Sequence, residues 1–341
     1  MKIGGRIIDL AHPPYIIAEL GVNHDGAPAR ASRLVDAAAA AGCDAIKLQL
    51  FEAERLLGTT AELAGYQTRA GVASPHQMLR DLEMPVAAMR PLVAHAHDLG
   101  MHAIVTVFNV ELVTPAEREG FDAYKVASPD IINRPLIAAL QATGAPLLVS
   151  TGAASTDEIA RAVGWLGHHP HVLLHCVSSY PTPDDDAAIG GRMALLALSA
   201  HALGYSDHTV SVDTGALAVA GGACVLEKHL TLDRDASGPD HAVSIEPAAM
   251  GEYVRLAHRA WRMRGPIAKR IAGIEEDVRT SSRQSITTKR ALPAGRVLDA
   301  DDLTIKRPGT GLSPACLTEV IGRTLRCAVP ADVPLSEEHL A

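Results

Sequence analysis

Lysines, acidic residues, hydroxyls and two histidines recur where short apolar runs of the chain end. Lys47 and Gln49 stand two residues apart, so on a strand they share a face. Glu19 closes the run that opens at Tyr15, and Thr106, Lys125, Ser128, Ser150, Ser178, Ser206 and Glu227 sit in or just past later runs. Ammonium and hydroxyl groups gathered at one place suit a phosphate or carboxylate, because lysine brings point charge and each hydroxyl brings a donor. A blander reading of the same residues pairs Lys47 and Lys125 with Glu19 or Glu227 in a stabilising network. The chain has no GxxxxGK, so a P-loop is not the anion site. His208 and His229 end successive runs, a placement that can bring two imidazoles to one divalent cation; with oxygen co-ligands such a site accepts Mn²⁺, Co²⁺ or Zn²⁺. Lys125 opens a rival chemistry, a Schiff base with a keto acid, whereas Lys228 alternates out of phase with Glu227 and His229 and faces the other way.

Elements that could hold these groups together follow from the hydropathy pattern. Apolar runs at 15–22, 45–50, 102–108, 123–127, 146–150, 172–177, 203–207 and 224–230 read as strands. Amphipathic stretches at 29–41, 86–99, 134–143, 156–166, 214–221 and 247–261 read as helices, several opened by Ser, Thr, Asp or Pro. Eight βα units over about 250 residues are the size of a TIM (β/α)8 barrel, whose strand ends at one face carry the chemistry. Charged residues at period two inside such strands carry a desolvation cost that a purely structural core avoids. The barrel is predicted over 1–262. A charged linker with a helix follows over 263–284, and a small β-rich domain over 285–341, too small to be robust alone.

Composition narrows the partners. The 341 residues are 48% hydrophobic, enough for a large core, and aromatics are only 3% with a net charge of -8, which argues against nucleic acid. Five cysteines in no C-x-x-C pair fit a reducing compartment. No apolar stretch has the length of a signal peptide or a membrane span, so a cytoplasmic protein with no membrane partner is expected.

The chain resembles the sialic acid (N-acetylneuraminate) synthase family over nearly its whole length. The resemblance is carried by Ala18-Glu19-Leu20-Gly21-Val22-Asn23-His24, Lys47-Leu48-Gln49, Tyr124-Lys125-Val126-Ala127-Ser128, Ser150-Thr151-Gly152, His175-Cys176-Val177-Ser178-Ser179-Tyr180-Pro181, Gly204-Tyr205-Ser206-Asp207-His208-Thr209, Glu227-Lys228-His229 and Gly238-Pro239-Asp240-His241. Lys306-Arg307-Pro308-Gly309-Thr310-Gly311 looks like that family's C-terminal antifreeze-like (SAF) domain.

The resemblance implies a transferase that condenses phosphoenolpyruvate with the open-chain aldehyde of an acylamino-hexose and releases phosphate. It implies that Lys47, Thr106, Lys125, Ser128, Ser150 and Ser206 hold phosphoenolpyruvate, with Ser178 also binding substrate. His208 and His229 would bind a divalent metal, Mn²⁺ before Mg²⁺ or Co²⁺. Glu19, Gln49, Tyr180 and Asp240 would line the sugar and reacting carbons, with Glu19 and Asp130 steering water and protons. Arg307 would reach the sugar from the small domain of another subunit in a domain-swapped homodimer, as a lid rather than an ice binder. Ser128-Pro129-Asp130 replaces a common Ser-Gly-Glu, Ser178 a common Asn, and Val107 the proline of a Ser-Thr-Pro-Phe. These changes spare the metal and phosphate sets and leave the acceptor open among N-acetylmannosamine, a diacetamido-trideoxy hexose and a phosphorylated hexosamine. A Schiff-base aldolase and a non-catalytic polysaccharide or coat protein are the alternatives.

Overall fold

A computed structural model describes residues 1–58, 74–199 and 201–341. Strands β1 (Tyr15–Gly21), β2 (Ala45–Leu50), β3 (His102–Val107), β4 (Ala123–Val126), β5 (Leu147–Ser150), β6 (His171–His175), β7 (Leu203–Asp207) and β8 (Val225–His229) pair in parallel in chain order. The sheet closes where β8 meets β1, so the barrel reading stands. Nearly every strand residue is buried on one face by the lumen and on the other by helices, which is why these runs are almost continuously apolar. Helices Pro28–Ala40, Val86–Asp98, Arg134–Ala142, Thr156–Leu166, Thr214–Ala220 and Pro247–Arg264 lie among the crossovers and after the last strand. Their starts have local causes: Pro28 and Pro247 stand in the first turn, the Asn133 side chain accepts from the Leu136 amide, and Ser155 with Glu158 forms a capping box.

Two apolar clusters divide the barrel. Ile16, Ala18, Ile46, Leu48, Val105 and Leu226 pack outward against the helices. Ile17, Ala45, Ile104, Ala123, Leu148, Val172 and Val225 fill the lumen near the strand starts, where Ile3 and Ile8, next to an N-terminal hairpin (Lys2–Ile3 with Arg6–Ile7), also pack. Further along the same strands the lumen-facing positions become Glu19, Lys47, Lys125, Ser150, Ser206 and Glu227, all buried. The apolar plug therefore forces the polar layer to the C-terminal mouth.

The last barrel helix runs to Arg264, past the 261 at which periodicity fades, and the chain divides into compact units at Met1–Pro266 and Ile267–Ala341. In the second unit β9 (Ser285–Thr288) pairs antiparallel with β10 (Leu303–Lys306) over a core of Ile286, Leu292, Leu298, Val320, Leu325, Val329 and Leu335. Asp302, fully buried, accepts from Arg290 and Arg296 and fastens the turn before β10. Arg307 follows β10 directly and is exposed. Among the described residues no helix is long and apolar enough to cross a membrane.

Candidate active site at the barrel mouth

Strand register decides which side chains meet. Glu19 is level with Lys47 across β1 and β2, Gln49 with Thr106 across β2 and β3, Thr106 with Lys125 across β3 and β4, and Glu227 with Ser206 across β8 and β7. A bulge between Glu19 and Gly21 turns the chain at the mouth, and Gly21 takes φ +50° there. A Cβ on Gly21 would stand 3.1 Å from Glu19 Oε1, 3.2 Å from Asp240 Oδ2 and 3.3 Å from Gln49 Nε2, so glycine is needed for the fit as well as the turn.

These groups line one cavity of about 640 Å³. On its wall lie Glu19, Lys47, Gln49, Thr106, Lys125, Ser128, Ser150, Ser178, Tyr180, His208, His229 and Asp240. Of the predicted residues in the barrel, Ser206 and Asp130 do not line it. Ser206 donates to Glu227 Oε1 at 2.8 Å and acts only through that carboxylate. Asp130 follows β4 in a tight turn, Ser128–Ile132, where it accepts from Asn133, and it is not on the cavity wall. Arg307 lies in the other compact unit.

The lysines are paired, as the blander reading required. Lys47 Nζ lies 2.8 Å from Glu19 Oε2 and 3.4 Å from Glu227 Oε2, and donates to Thr106 Oγ1 at 3.1 Å. Lys125 donates to Glu227, and Gln49 Nε2 donates to Glu19 Oε1 at 2.8 Å. Pairing does not remove the groups from the cavity, since both ammoniums still line it. Burial pushes the Glu19 carboxyl up, against the pull of Lys47. For Glu227 burial is outweighed by Lys125 and Lys47, which hold it well below the usual carboxylate range. The cluster thus holds one carboxylate that the lysines favour ionised and one that burial makes costlier to ionise.

Beside the lysines is a hydroxyl cradle. A Cβ on Gly152 would stand 2.3 Å from Ser178 Oγ, 2.8 Å from Cys176 Sγ and 2.9 Å from Ser128 Oγ, so only glycine lets the three approach. The Gly152 amide donates to Ser128 Oγ at 3.1 Å, and Ser150 Oγ is buried with no hydrogen-bond partner. Unspent hydroxyls of this kind are what an anion would use.

The imidazoles meet as expected. The rings of His208 and His229 lie 5.6 Å apart, and the Tyr180 ring sits 4.3 Å from that of His208. His208 Nδ1 donates to the Val177 carbonyl at 2.7 Å, which leaves its Nε2 lone pair free. His229 Nδ1 is buried without a hydrogen bond, 3.7 Å from Asp240 Oδ2. Burial pushes His208 down to about 4 and His229 well below its ordinary value, so both rings are neutral. Burial, with Glu19 adding to it, pushes Asp240 up to about 7. Among the described residues no group of three or more His, Cys, Asp or Glu gathers for a metal. The donors available to a cation are therefore two neutral imidazoles, one held by a carbonyl and one orphaned, and these fit a weakly held ion with open positions.

Sequence reasoning left two features out of the site. Glu227 was recognised only as a possible partner, yet it ties both lysines and Ser206 together. An apolar wall of Val22, Phe51, Leu56, Met78, Leu79, Leu82 and Phe108 lines the same cavity; Leu56, Met78, Leu79 and Leu82 stand on the short helices Ala53–Leu56 and Pro75–Leu82, and apolar residues in such excursions give no sign that separates them from core.

The buried imidazoles set a pH dependence. His24 is also pushed down to about 4 by burial. Between pH ~6.5, where an unfolded histidine titrates, and about 4, the unfolded chain takes up protons that folded His24, His208 and His229 refuse, so stability falls as pH falls. Asp240 and Glu19, raised in the fold, run the opposite way, while Glu227, held low by the lysines, adds to the loss. In chelator the urea midpoint is expected to be lower at pH 4.5 than at 7.5, with a shallower fall in His24→Gln. A flat profile would contradict the buried, neutral imidazoles.

Comparison with known proteins gives a concordant answer. Residues 34–269 match the NeuB family and residues 283–341 match the SAF domain. An N,N'-diacetyllegionaminic acid synthase of Legionella pneumophila is 34% identical over 96% of this chain and 94% of its own length. An N-acetylneuraminate-9-phosphate synthase of Mus musculus is 28% identical over 98% of this chain and 94% of its own. The crystal structure of N-acetylneuraminic acid (sialic acid) synthetase from Leptospira borgpetersenii, 30% identical, matches with a TM-score of 0.75 over 82% of this chain and 94% of that one. The chain belongs to the NeuB family and carries a C-terminal SAF domain.

Proposed function

We propose that the chain is a nonulosonic acid synthase, a transferase joining phosphoenolpyruvate to the open-chain aldehyde of an N-acylated hexose. The observation that carries this reading is the placement of a hydroxyl cradle, two ammoniums and a neutral imidazole pair on one cavity wall. Ser128, Ser150 and Ser178 donate to the phosphate and carboxylate of phosphoenolpyruvate, with Lys47 and Lys125 supplying charge and Thr106 orienting Lys47. C3 of the enol attacks the aldehyde carbon, water adds to C2, and the tetrahedral phosphohemiketal collapses with loss of inorganic phosphate. Glu19 and Asp240, both raised by burial and Asp240 to about 7, are the carboxyls that pass protons to the new hydroxyl and from the attacking water. Gln49 fixes Glu19, and Tyr180 borders the acceptor. His208 and His229 would hold a divalent cation, Mn²⁺ first, which when bound polarises the acceptor's aldehyde oxygen. The reading extends to a homodimer in which Arg307 of one copy serves the acceptor held by another, and to a cytoplasmic setting, where phosphoenolpyruvate is found.

The acceptor class is an acetamido sugar, as the relatives' names suggest, with the 2,4-diacetamido-2,4,6-trideoxy hexose ahead of N-acetylmannosamine and its phosphate on identity. Phosphate release from phosphoenolpyruvate, followed with Mn²⁺ over these acceptors and with mass spectrometry of the product, is expected only when an acceptor is present. EDTA is expected to lower the rate at least ~100-fold, with recovery on adding Mn²⁺. Release that ignores both acceptor and chelator would refute the reading, and a borohydride-trapped adduct on Lys125 would favour the aldolase instead.

A further inference from the structure

The proposed reaction leaves one deeply buried charged side chain unused. Lys228 stands between Glu227 and His229 on β8 but points out of the lumen into the layer between barrel and helices, where it is fully buried. Across the register on β7 it faces Asp207, equally buried, and the two approach to 2.9 Å. Lys228 Nζ also donates to the carbonyl of Thr209 at 2.6 Å and to that of Ser211 at 3.1 Å, with Thr209 Oγ1 at 3.1 Å, and lies 5.3 Å from the Tyr253 ring centroid. Asp207 Oδ1 in turn accepts from the Thr209 amide at 2.9 Å and from Thr209 Oγ1 at 2.8 Å.

A buried ion pair in a largely apolar layer gains little stability over a well-packed apolar pair. What it supplies is direction. The ammonium has three protons, and its acceptors are one carboxylate and the carbonyls of residues 209 and 211, so it pins the segment that leaves β7 immediately after His208. His208 is also held by two hydrogen bonds, its ring donating to Val177 and its carbonyl accepting from the Thr182 amide, and by the Tyr180 ring packed against it. Lys228 is at the same time the backbone neighbour of His229. A single side chain therefore ties the exit of the strand bearing one imidazole to the residue next to the other.

We propose that Lys228 is a positioning residue that sets the separation of His208 and His229, and hence the affinity of the imidazole pair for a divalent cation, while touching neither cation nor substrate. The proposal rests on the imidazole-pair reading above. Lys228→Met strands a buried carboxylate, so the test pairs it with Asp207→Asn, which removes the charge while leaving a side-chain oxygen able to accept from Thr209. Mn²⁺ affinity of the full chain is measured by electron paramagnetic resonance of free Mn²⁺, with folding followed by circular dichroism and urea melts. The double variant is expected to fold, to bind Mn²⁺ ten- to a hundredfold more weakly, and to bind phosphoenolpyruvate without metal within twofold of the parent. A folded double variant whose Mn²⁺ affinity matches the parent within twofold overturns the proposal, because a purely architectural pair would move the melt alone. Failure of the double variant to fold also overturns it, by making the role architectural. A parent chain that binds no Mn²⁺, or binds it equally well as His229→Ala, fails the imidazole-pair reading and takes this inference with it. Parent binding that is lost in His229→Ala and kept in the double variant fails this inference alone.

Discussion

Lys125→Met is expected to lower kcat/KM for acceptor-dependent phosphate release by about 10³-fold or more, the scale seen when a charged donor is removed from a preorganised, water-poor site. The same change strands Glu227, which is 1% exposed and keeps only Lys47 at 3.4 Å and the Ser206 hydroxyl. Removing one partner of a buried pair costs roughly 3–5 kcal/mol, so the single variant is also expected to melt earlier. Adding Glu227→Gln separates the two effects. The double variant no longer buries an uncompensated carboxylate and should regain most of the stability, but without the ammonium it should regain no activity. Recovery of activity together with stability would mean that Lys125 only neutralises Glu227 and never meets the anion. A mixing experiment extends the argument to the quaternary proposal. Lys125→Met and Arg307→Ala chains, each inactive alone, are expected to regain activity when allowed to exchange subunits, because one mixed site then has an intact barrel and an intact Arg307. No recovery after verified exchange would remove the swapped arrangement.

How far the sequence could be read depended on distance along the chain. Strands buried on both faces announce themselves locally, and β2 and β7 run over the ranges expected for them. The start of β6 was missed because His171 is polar by type, although it is fully buried, packed at a tilt against the His201 ring and bonded to the His169 carbonyl. The ends of strands were where alternation stopped being a guide. Ser128 sits one residue before Pro129 and reaches the cavity, but the turn that Pro129 opens carries Asp130 aside. Pairing was the least visible property. Nothing local says that Lys125 meets Glu227, 102 residues away, or that Glu19 is held by Gln49, 30 residues on. Register supplies both facts, and register is a property of the closed sheet.

Gly152→Ala is expected to raise KM for phosphoenolpyruvate at least ~100-fold with only a modest drop in the urea midpoint. No positive φ is involved at this glycine, so alanine brings no backbone strain, only one methyl group. That methyl would fall 2.3 Å from Ser178 Oγ, 2.8 Å from the buried Cys176 Sγ and 2.9 Å from Ser128 Oγ, well inside contact; the two hydroxyls border a cavity and can rotate away at small cost to the fold, whereas the Cys176 side chain has to shift within its packing. Rotation costs the substrate instead. It turns two donors out of the cradle and fills the space between them, and each lost hydrogen bond to a charged acceptor is worth about 1.5–3 kcal/mol, so two account for a hundredfold or more. The Mn²⁺ affinity should stay put, since neither imidazole touches Gly152, and this separates the substitution from general damage to the mouth. A Gly152→Ala chain with the parent's KM would show that phosphoenolpyruvate is held elsewhere, and the hydroxyl cradle would then need another occupant.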